Sequence, residues 1–216
     1  MEHDLSLHSG ERQVATTYEA IRTDHRLRYE WADARLEKPG FGLDAFCGNG
    51  YGTWLLSKSR VVIGIDGSAE AIRQAEQNYR TPRTHFSVNY YPFELPSNSF
   101  DFVVSLESVE HVADGNSFFQ TLIDSLKPRG QLIFSTPCEN LLPHRMTGNH
   151  FHYKHDTLSE SLEMASSSKI ELLEWAGQNT YGFQPDGKQG GLLPESQMNL
   201  RSSEAGQFLI FHCHRR

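Results

Sequence analysis

The stretch Phe41-Gly-Leu-Asp44-Ala-Phe46-Cys47-Gly48-Asn49-Gly50-Tyr51-Gly52-Thr53-Trp54-Leu55-Leu56 decides how this chain folds. Phe41 to Phe46 is a short apolar run broken by one carboxylate. It passes straight into glycines at 48, 50 and 52, and the apolar group Trp54 to Leu56 then opens a helix. The expected unit is strand, glycine-rich turn, helix. Next, Arg60-Val-Val-Ile-Gly-Ile65 reads as a second strand buried on both faces and ending at Asp66, and Ser68 is placed to cap a helix carrying Ile72, Ala75 and Tyr79. Thr84 to Val88, Phe100 to Ser105 and Gln131 to Ser135 read as further strands. Phe118, Phe119, Leu122, Ile123 and Leu126 trace a helical face before the last of them, closed by Lys127-Pro-Arg-Gly130.

Five strands alternating with helices imply a parallel sheet with right-handed crossovers, helices on both faces, and any ligand at the carboxyl ends of the strands. Lys169 to Trp175 and Gln207 to His214 are expected as a closing antiparallel pair, which makes an α/β chain with a seven-stranded, mostly parallel, Rossmann-like sheet. Residues 1–216 are read as one domain. Residues 1–38 form an N-terminal helical cap with Val14, Tyr18, Ile21, Leu27, Trp31 and Ala34 at helical spacing, and residues 41–175 form the core. Thr157 and Glu160 form a capping box for a helix through Leu162 and Ala165. Residues 176–206, rich in Gly, Gln, Asn and Ser, are expected as a long mobile loop and candidate lid, and 207–216 as the last strand.

Composition narrows the function classes. A net charge of -7 and a pI near 5.9 oppose non-specific binding to nucleic acid or anionic lipid, so the expected partner is a small molecule or glycan. No run of 18 apolar residues exists, and the start MEHDLSLHSGERQ lacks the apolar segment of a secretory signal, so no membrane span and a cytoplasmic location are expected. Cys47, Cys138 and Cys213 are too few and too scattered for a disulfide framework or a C-x-x-C site.

The glycine turn can be tested against known phosphate cradles. The dinucleotide fingerprint G-x-G-x-x-G is met at Gly48 and Gly50, but Thr53 holds the third place and Gly52 comes one residue early. No Gly-Lys-Ser/Thr follows, so the P-loop fails. Asp44, at the end of the first strand, would repel a pyrophosphate but favour an ammonium group. S-adenosylmethionine carries an ammonium and a sulfonium and no phosphate. Asp66, at the tip of the second strand, can accept two hydrogen bonds from a ribose diol, which suits both NAD and S-adenosylmethionine.

Taken together, these residues resemble a class I S-adenosylmethionine-dependent methyltransferase over roughly Ser9 to Thr157. Leu43 to Gly52 is similar to the first motif of that family, Ile63-Gly-Ile-Asp66-Gly-Ser68 to the second, and Asn89-Tyr90 with Leu95-Pro96 and Ser99-Phe100-Asp101 to the adenine-side loop and fourth strand. Ser105-Leu-Glu-Ser-Val-Glu110-His111-Val and Leu126 to Pro137 match the later motifs. The resemblance implies S-adenosyl-L-methionine as cofactor, with Asp44, Gly48 and Gly50 at its methionine part, Asp66 at the ribose, and Asn89 and Tyr90 at the adenine edge. Phe46 replaces the first motif glycine and is expected to crowd the turn. Asn89 stands where Asp is usual and can accept from the adenine amino group through its carbonyl oxygen. Ser9-Gly10-Glu11-Arg12 followed by Asp24-His25-Arg26-Leu27-Arg28-Tyr29 resembles the branch found among surface-polysaccharide and glycosyl-transfer genes, and Glu110-His111 resembles ubiquinone-type O-methyltransferases.

This resemblance implies methyl transfer to a small-molecule or glycan acceptor, at oxygen rather than nitrogen, with His111 after the fourth strand as candidate base; His152 and Glu110 are the next candidates. The alternatives are a non-catalytic S-adenosylmethionine-binding protein and an NAD-dependent oxidoreductase, the latter opposed by the missing third glycine. His150, His152 and His155, like His212 and His214, lie close in sequence, but no carboxylate or Cys stands at a recurrent ligand spacing, so no metal site is assigned.

Overall fold

Alternation along the strands fixes two apolar faces. Between Phe100 and Leu106, Val103 is buried on one face and Phe102 and Val104 on the other. Between Phe208 and Arg215, Leu209, Phe211 and Cys213 oppose Ile210. Such a sheet must be covered on both sides. The computed structural model describes residues 13–147, 152–167, 169–185 and 187–216. Of the residues singled out above, Ser9 to Arg12 and His150 lie outside the described residues.

In chain order the elements are α1 (Thr23–Arg35), β1 (Phe41–Ala45), α2 (Tyr51–Leu56), β2 (Val61–Asp66), α3 (Ala69–Asn78), β3 (Thr84–Val88), β4 (Phe100–Leu106), α4 (Gly115–Ser125), β5 (Leu126–Pro137), α5 (His144–Thr147), α6 (Leu158–Ala165), β6 (Ile170–Gln178), β7 (Tyr181–Phe183), β8 (Gln189–Leu192), β9 (Arg201–Ser202) and β10 (Phe208–Arg215). The main sheet runs β3-β2-β1-β4-β5-β10-β6-β9. Neighbouring strands among the first five are parallel, and β10 is antiparallel to both β5 and β6. Side chains of α4 and α6 fill one face. Those of α1 and α2, with Tyr79 after α3, fill the other.

Local chemistry sets the helix ends. Ser68 Oγ accepts from Ala71 N–H at the start of α3, Asp114 Oδ1 from Ser117 N–H at the start of α4, and Thr157 and Glu160 close the expected capping box on α6. Carbonyls at and just after the end of α1 find a donor in the residue before β2. Arg60, 2% exposed, gives Nη2 to the carbonyls of Asp33 and Leu36 (3.0 and 2.8 Å) and Nε to that of Glu37 (2.9 Å). The N-terminal helix is thereby fixed to the start of β2.

The sheet corrects the sequence reading in two places. It has eight strands, not seven: β9 pairs with Ala176 and Gly177 of β6, and two residues are too short to carry a period-two signal. Residues 176–206, expected as a loop, are also partly structured. β6 continues to Gln178, and β7 and β8 pair as a separate antiparallel hairpin. Gln207 holds that hairpin, its Oε1 accepting from the N–H groups of Thr180 and Tyr181 and its Nε2 donating to the Tyr181 carbonyl, each at 2.8 Å. Backbone and amide bonds, rather than apolar alternation, build this segment, so hydrophobic periodicity could not show it. Among the described residues, no helix is long and apolar enough to cross a membrane.

Candidate active site

The turn after β1 lies at the carboxyl edge of the parallel strands. Phe46, Gly48 and Gly50 all take positive φ, at 61°, 55° and 89°. For Phe46 this conformation costs about 1–2 kcal/mol. Its ring is held against the α4 side, edge-on to Phe118 with centroids 5.3 Å apart, so the turn is not filled by it. A Cβ on Gly48 would meet nothing within 4 Å, whereas one on Gly50 would sit 2.7 Å from the Ala75 Cβ. Gly48 therefore presents bare backbone to open space, and Gly50 permits close packing on α3.

Asp66, 3% exposed at the end of β2, ties this turn to the next. Its Oδ2 accepts from Gly48 N–H (3.0 Å) and its Oδ1 from Ser68 N–H (2.8 Å), which are two of the roughly four acceptor directions of a carboxylate. Asn89, after β3, donates its N–H to the Asp66 carbonyl (2.9 Å) and its Nδ2 to Ser87 Oγ (3.1 Å). Tyr90 is 54% exposed and lies on Gly67, where a Cβ would be 2.8 Å from Tyr90 Cδ2. Gly48, Asp66, Asn89 and Tyr90 thus line one continuous edge across the ends of β1, β2 and β3.

Asp44 sits beneath the turn, fully buried. Tyr29 of α1 donates to its Oδ1 (3.0 Å) and Thr53 of α2 to its Oδ2 (2.6 Å). Burial pushes its carboxyl up to about 7, against the two hydroxyl donors that lower it and with the charge of Asp66 adding to the rise. Gly52 makes the Tyr29 bond geometrically available, since a Cβ there would lie 2.1 Å from the phenol ring. Asp44 therefore reaches a ligand through its field rather than by surface contact.

The start of α1 adds a polar group to this edge. Arg22 pairs with both oxygens of Asp24 (2.5 and 2.8 Å) and lies 3.3 Å from Tyr181 Oη. Arg28, 1% exposed, donates to Gln178 Oε1 at 2.6 Å. Burial would raise the Asp24 carboxyl, but the Arg22 hydrogen bonds and the neighbouring charges overcome it and hold the group well below the usual carboxylate range. Tyr29, Gly52, Thr53 and Arg28 were not singled out as site residues from sequence. Their signals were Arg28-Tyr29 in the N-terminal motif and Thr53 at the third fingerprint place.

After β4 the chain turns at Glu107 (φ 52°), which accepts from Ser135 Oγ at 2.6 Å, and forms a single 3-10 turn, Val109–His111. Glu110 is 2% exposed. The His111 ring meets the His152 ring edge-on at 4.7 Å, and Glu110, His111 and His152 each bring a carboxylate oxygen or ring nitrogen within 4.8 Å of the others. Behind them, His152 Nδ1 and His155 Nε2 share a hydrogen bond of 2.6 Å, and His155 Nδ1 reaches the Leu142 carbonyl at 2.7 Å. Burial, then the neighbouring imidazoles, push His152 down to about 2; burial also lowers His155. His212 and His214 lie elsewhere, on β10 within 3.5 and 3.3 Å of Glu174 and Glu171 of β6.

A family model described as a methyltransferase domain matches residues 41–188. The chain belongs to this methyltransferase family. The family model and the relatives below point to S-adenosylmethionine as the cofactor. The chain is 30% identical over 177 residues to a probable S-adenosylmethionine-dependent methyltransferase of Mycolicibacterium smegmatis, covering 76% of this chain and 65% of that protein. It is 32% identical over 127 residues to a ubiquinone biosynthesis O-methyltransferase of a Caulobacter species, covering 50% of this chain and 48% of that one. The chain thus spans about half to just under two thirds of these curated relatives. A crystal structure of an S-adenosylmethionine-dependent methyltransferase from Mesorhizobium loti shares the fold, with a TM-score of 0.65 at 18% identity over 90% of this chain and 100% of that one.

Proposed function

We propose that this methyltransferase moves the methyl group of S-adenosylmethionine to an oxygen of a small-molecule or glycan acceptor, in the cytoplasm. The observation that carries this reading is the single edge that bears Gly48, Asp66, Asn89 and Tyr90 at the ends of β1 to β3 and His111 just after β4. A cofactor laid along the first three strand ends directs its sulfonium toward the fourth. Asp66 would take the ribose diol, Asn89 and Tyr90 the adenine, and the backbone of Gly48 and Gly50 the methionine part, with the buried charge of Asp44 favouring the ammonium. Three free, buried cysteines accord with a reducing compartment.

The chemistry is an in-line displacement: the acceptor oxygen forms a bond to the methyl carbon as the carbon–sulfur bond breaks and its electron pair returns to sulfur. Orientation supplies on the order of 7–11 kcal/mol at the upper end, and exclusion of water adds to it. His111 is the catalytic side chain on the acceptor side, the group through which a poorly acidic hydroxyl becomes nucleophilic. The β7–β8 hairpin, with Phe183 and Leu192 half exposed and Tyr181 against Arg22, serves as a lid over that acceptor. Kinetics of His111→Gln test the reading: turnover should fall roughly 100-fold or more while affinity for S-adenosylhomocysteine stays unchanged. Equal losses in both would make His111 structural.

A further inference from the structure

We propose that Glu110, His111 and His152 form a divalent transition-metal site that binds and activates an acceptor carrying two adjacent hydroxyls. The inference deepens the acceptor-side reading above and rests on it for the role of the ion, though not for the binding of the ion.

Three observations carry the proposal. The three side chains come from two separate segments, Glu110 and His111 after β4 and His152 before α6, and place their ligand-type atoms within 4.8 Å of one another. Side-chain adjustments of about an ångström close that spacing onto metal–ligand bonds of about 2.0–2.2 Å. The hydrogen bonds behind His152 also set its tautomer. The Leu142 carbonyl can only accept, so His155 carries a proton on Nδ1, and its Nε2 then serves as the acceptor toward His152. His152 must therefore donate from Nδ1, and its lone pair lies on Nε2. An imidazole whose second nitrogen donates to a fixed acceptor is the usual support of a metal-bound histidine. The donor set matters too. Two imidazoles and one carboxylate suit Zn(II), Mn(II) or Fe(II) and not Mg(II) or Ca(II), which take oxygen ligands.

Three protein ligands leave coordination positions open, and a vicinal diol or catechol fills two of them. The ion lowers the pKa of the bound hydroxyl, whose proton leaves to solvent water. The resulting oxyanion takes the methyl carbon as the carbon–sulfur pair returns to sulfur, giving the methyl ether and S-adenosylhomocysteine. His111 then acts as a ligand and not as the proton acceptor.

Equilibrium dialysis of the full chain against Zn(II) or Mn(II), without cofactor or acceptor, tests the site independently of methyl transfer. About one ion per chain should bind, and His152→Ala and Glu110→Gln should each weaken it by roughly 100-fold or more, with His155→Gln weakening it by about 10–100-fold through the lost orientation of His152. Retained S-adenosylhomocysteine affinity certifies that each variant is folded. Should a variant not fold, Co(II) added to the wild type reads the same point, and its visible absorption should report nitrogen ligation. No stoichiometric ion, a Co(II) spectrum of purely oxygen ligation, or an ion retained equally by the folded variants would overturn the proposal.

Discussion

The phenol of Tyr29 donates to Asp44 Oδ1 across 3.0 Å, from the N-terminal helix to the end of the first strand, and the path between them runs over Gly52. Helix packing and the charge beneath the cofactor turn are therefore one structural unit. Gly52→Ala should cost about 1–3 kcal/mol, since the new Cβ would stand 2.1 Å from the phenol ring. The same change in a Tyr29→Ala background should cost little. Thermal or denaturant unfolding of the four proteins reads the coupling, and an equal cost in both backgrounds would show that the ring does not set the constraint.

Asp44 gives the cofactor affinity a pH dependence. Its folded carboxyl stands near 7 against an ordinary 3.8, so the free protein holds a proton there that the unfolded chain has released. The stability contributed by this group is full below about pH 4 and declines until about pH 7, where it levels. An ammonium-bearing ligand prefers the carboxylate, so S-adenosylhomocysteine affinity should rise with pH through the same window and flatten above it. Calorimetry across that range checks the slope, and Asp44→Asn should remove it; a slope surviving in the variant assigns it to another group.

Asp66→Ala should lower S-adenosylhomocysteine affinity tenfold or more, the loss of charge-assisted hydrogen bonds worth about 1.5–3 kcal/mol. Both Gly48 and Ser68 also lose their acceptor, so part of the change will appear as a lower melting temperature. Titration of a folded variant with undiminished affinity would take the ribose away from Asp66.

The hairpin reading predicts a specific exchange pattern. Amides paired between β7 and β8 should already be protected in the free protein, as should the flanking Leu193 N–H, which donates to the Thr180 carbonyl. Added protection across residues 181–193 should appear when the acceptor or its methylated product joins the cofactor complex, and not with S-adenosylhomocysteine alone. Exchange unchanged by any acceptor would make the hairpin a fixed element and not a lid.

The alternation of strands and helices from β1 to β5 was legible because apolar period and glycine placement both act locally. Thr157 and Glu160, and Ser68, were legible for the same reason, and β6 and β10 were each legible as strands by their apolar runs. Asp66 and Gly48 could be placed at one edge from their positions at strand ends, and the structure links them directly at 3.0 Å. What stayed hidden depends on contacts between distant segments. Tyr29 reaches Asp44 only through space left on another helix, Gln207 anchors a hairpin with amide bonds that leave no apolar pattern, and His152 meets His111 across the intervening α5 segment. Spacing along the chain therefore gave no ligand set, although folding places a carboxylate and two imidazoles together.

Methyl transfer to an acceptor oxygen beside His111 can be followed with S-adenosylmethionine labelled in its methyl group. The purified chain is incubated with diol-bearing sugars, lipid-linked glycans and polyphenols, and products are mapped by mass spectrometry. Label should appear as a methyl ether on one class of acceptor, with formation slowed roughly 100-fold or more by His111→Gln. Label found on nitrogen, or a variant as fast as the wild type, would rule out oxygen transfer through His111.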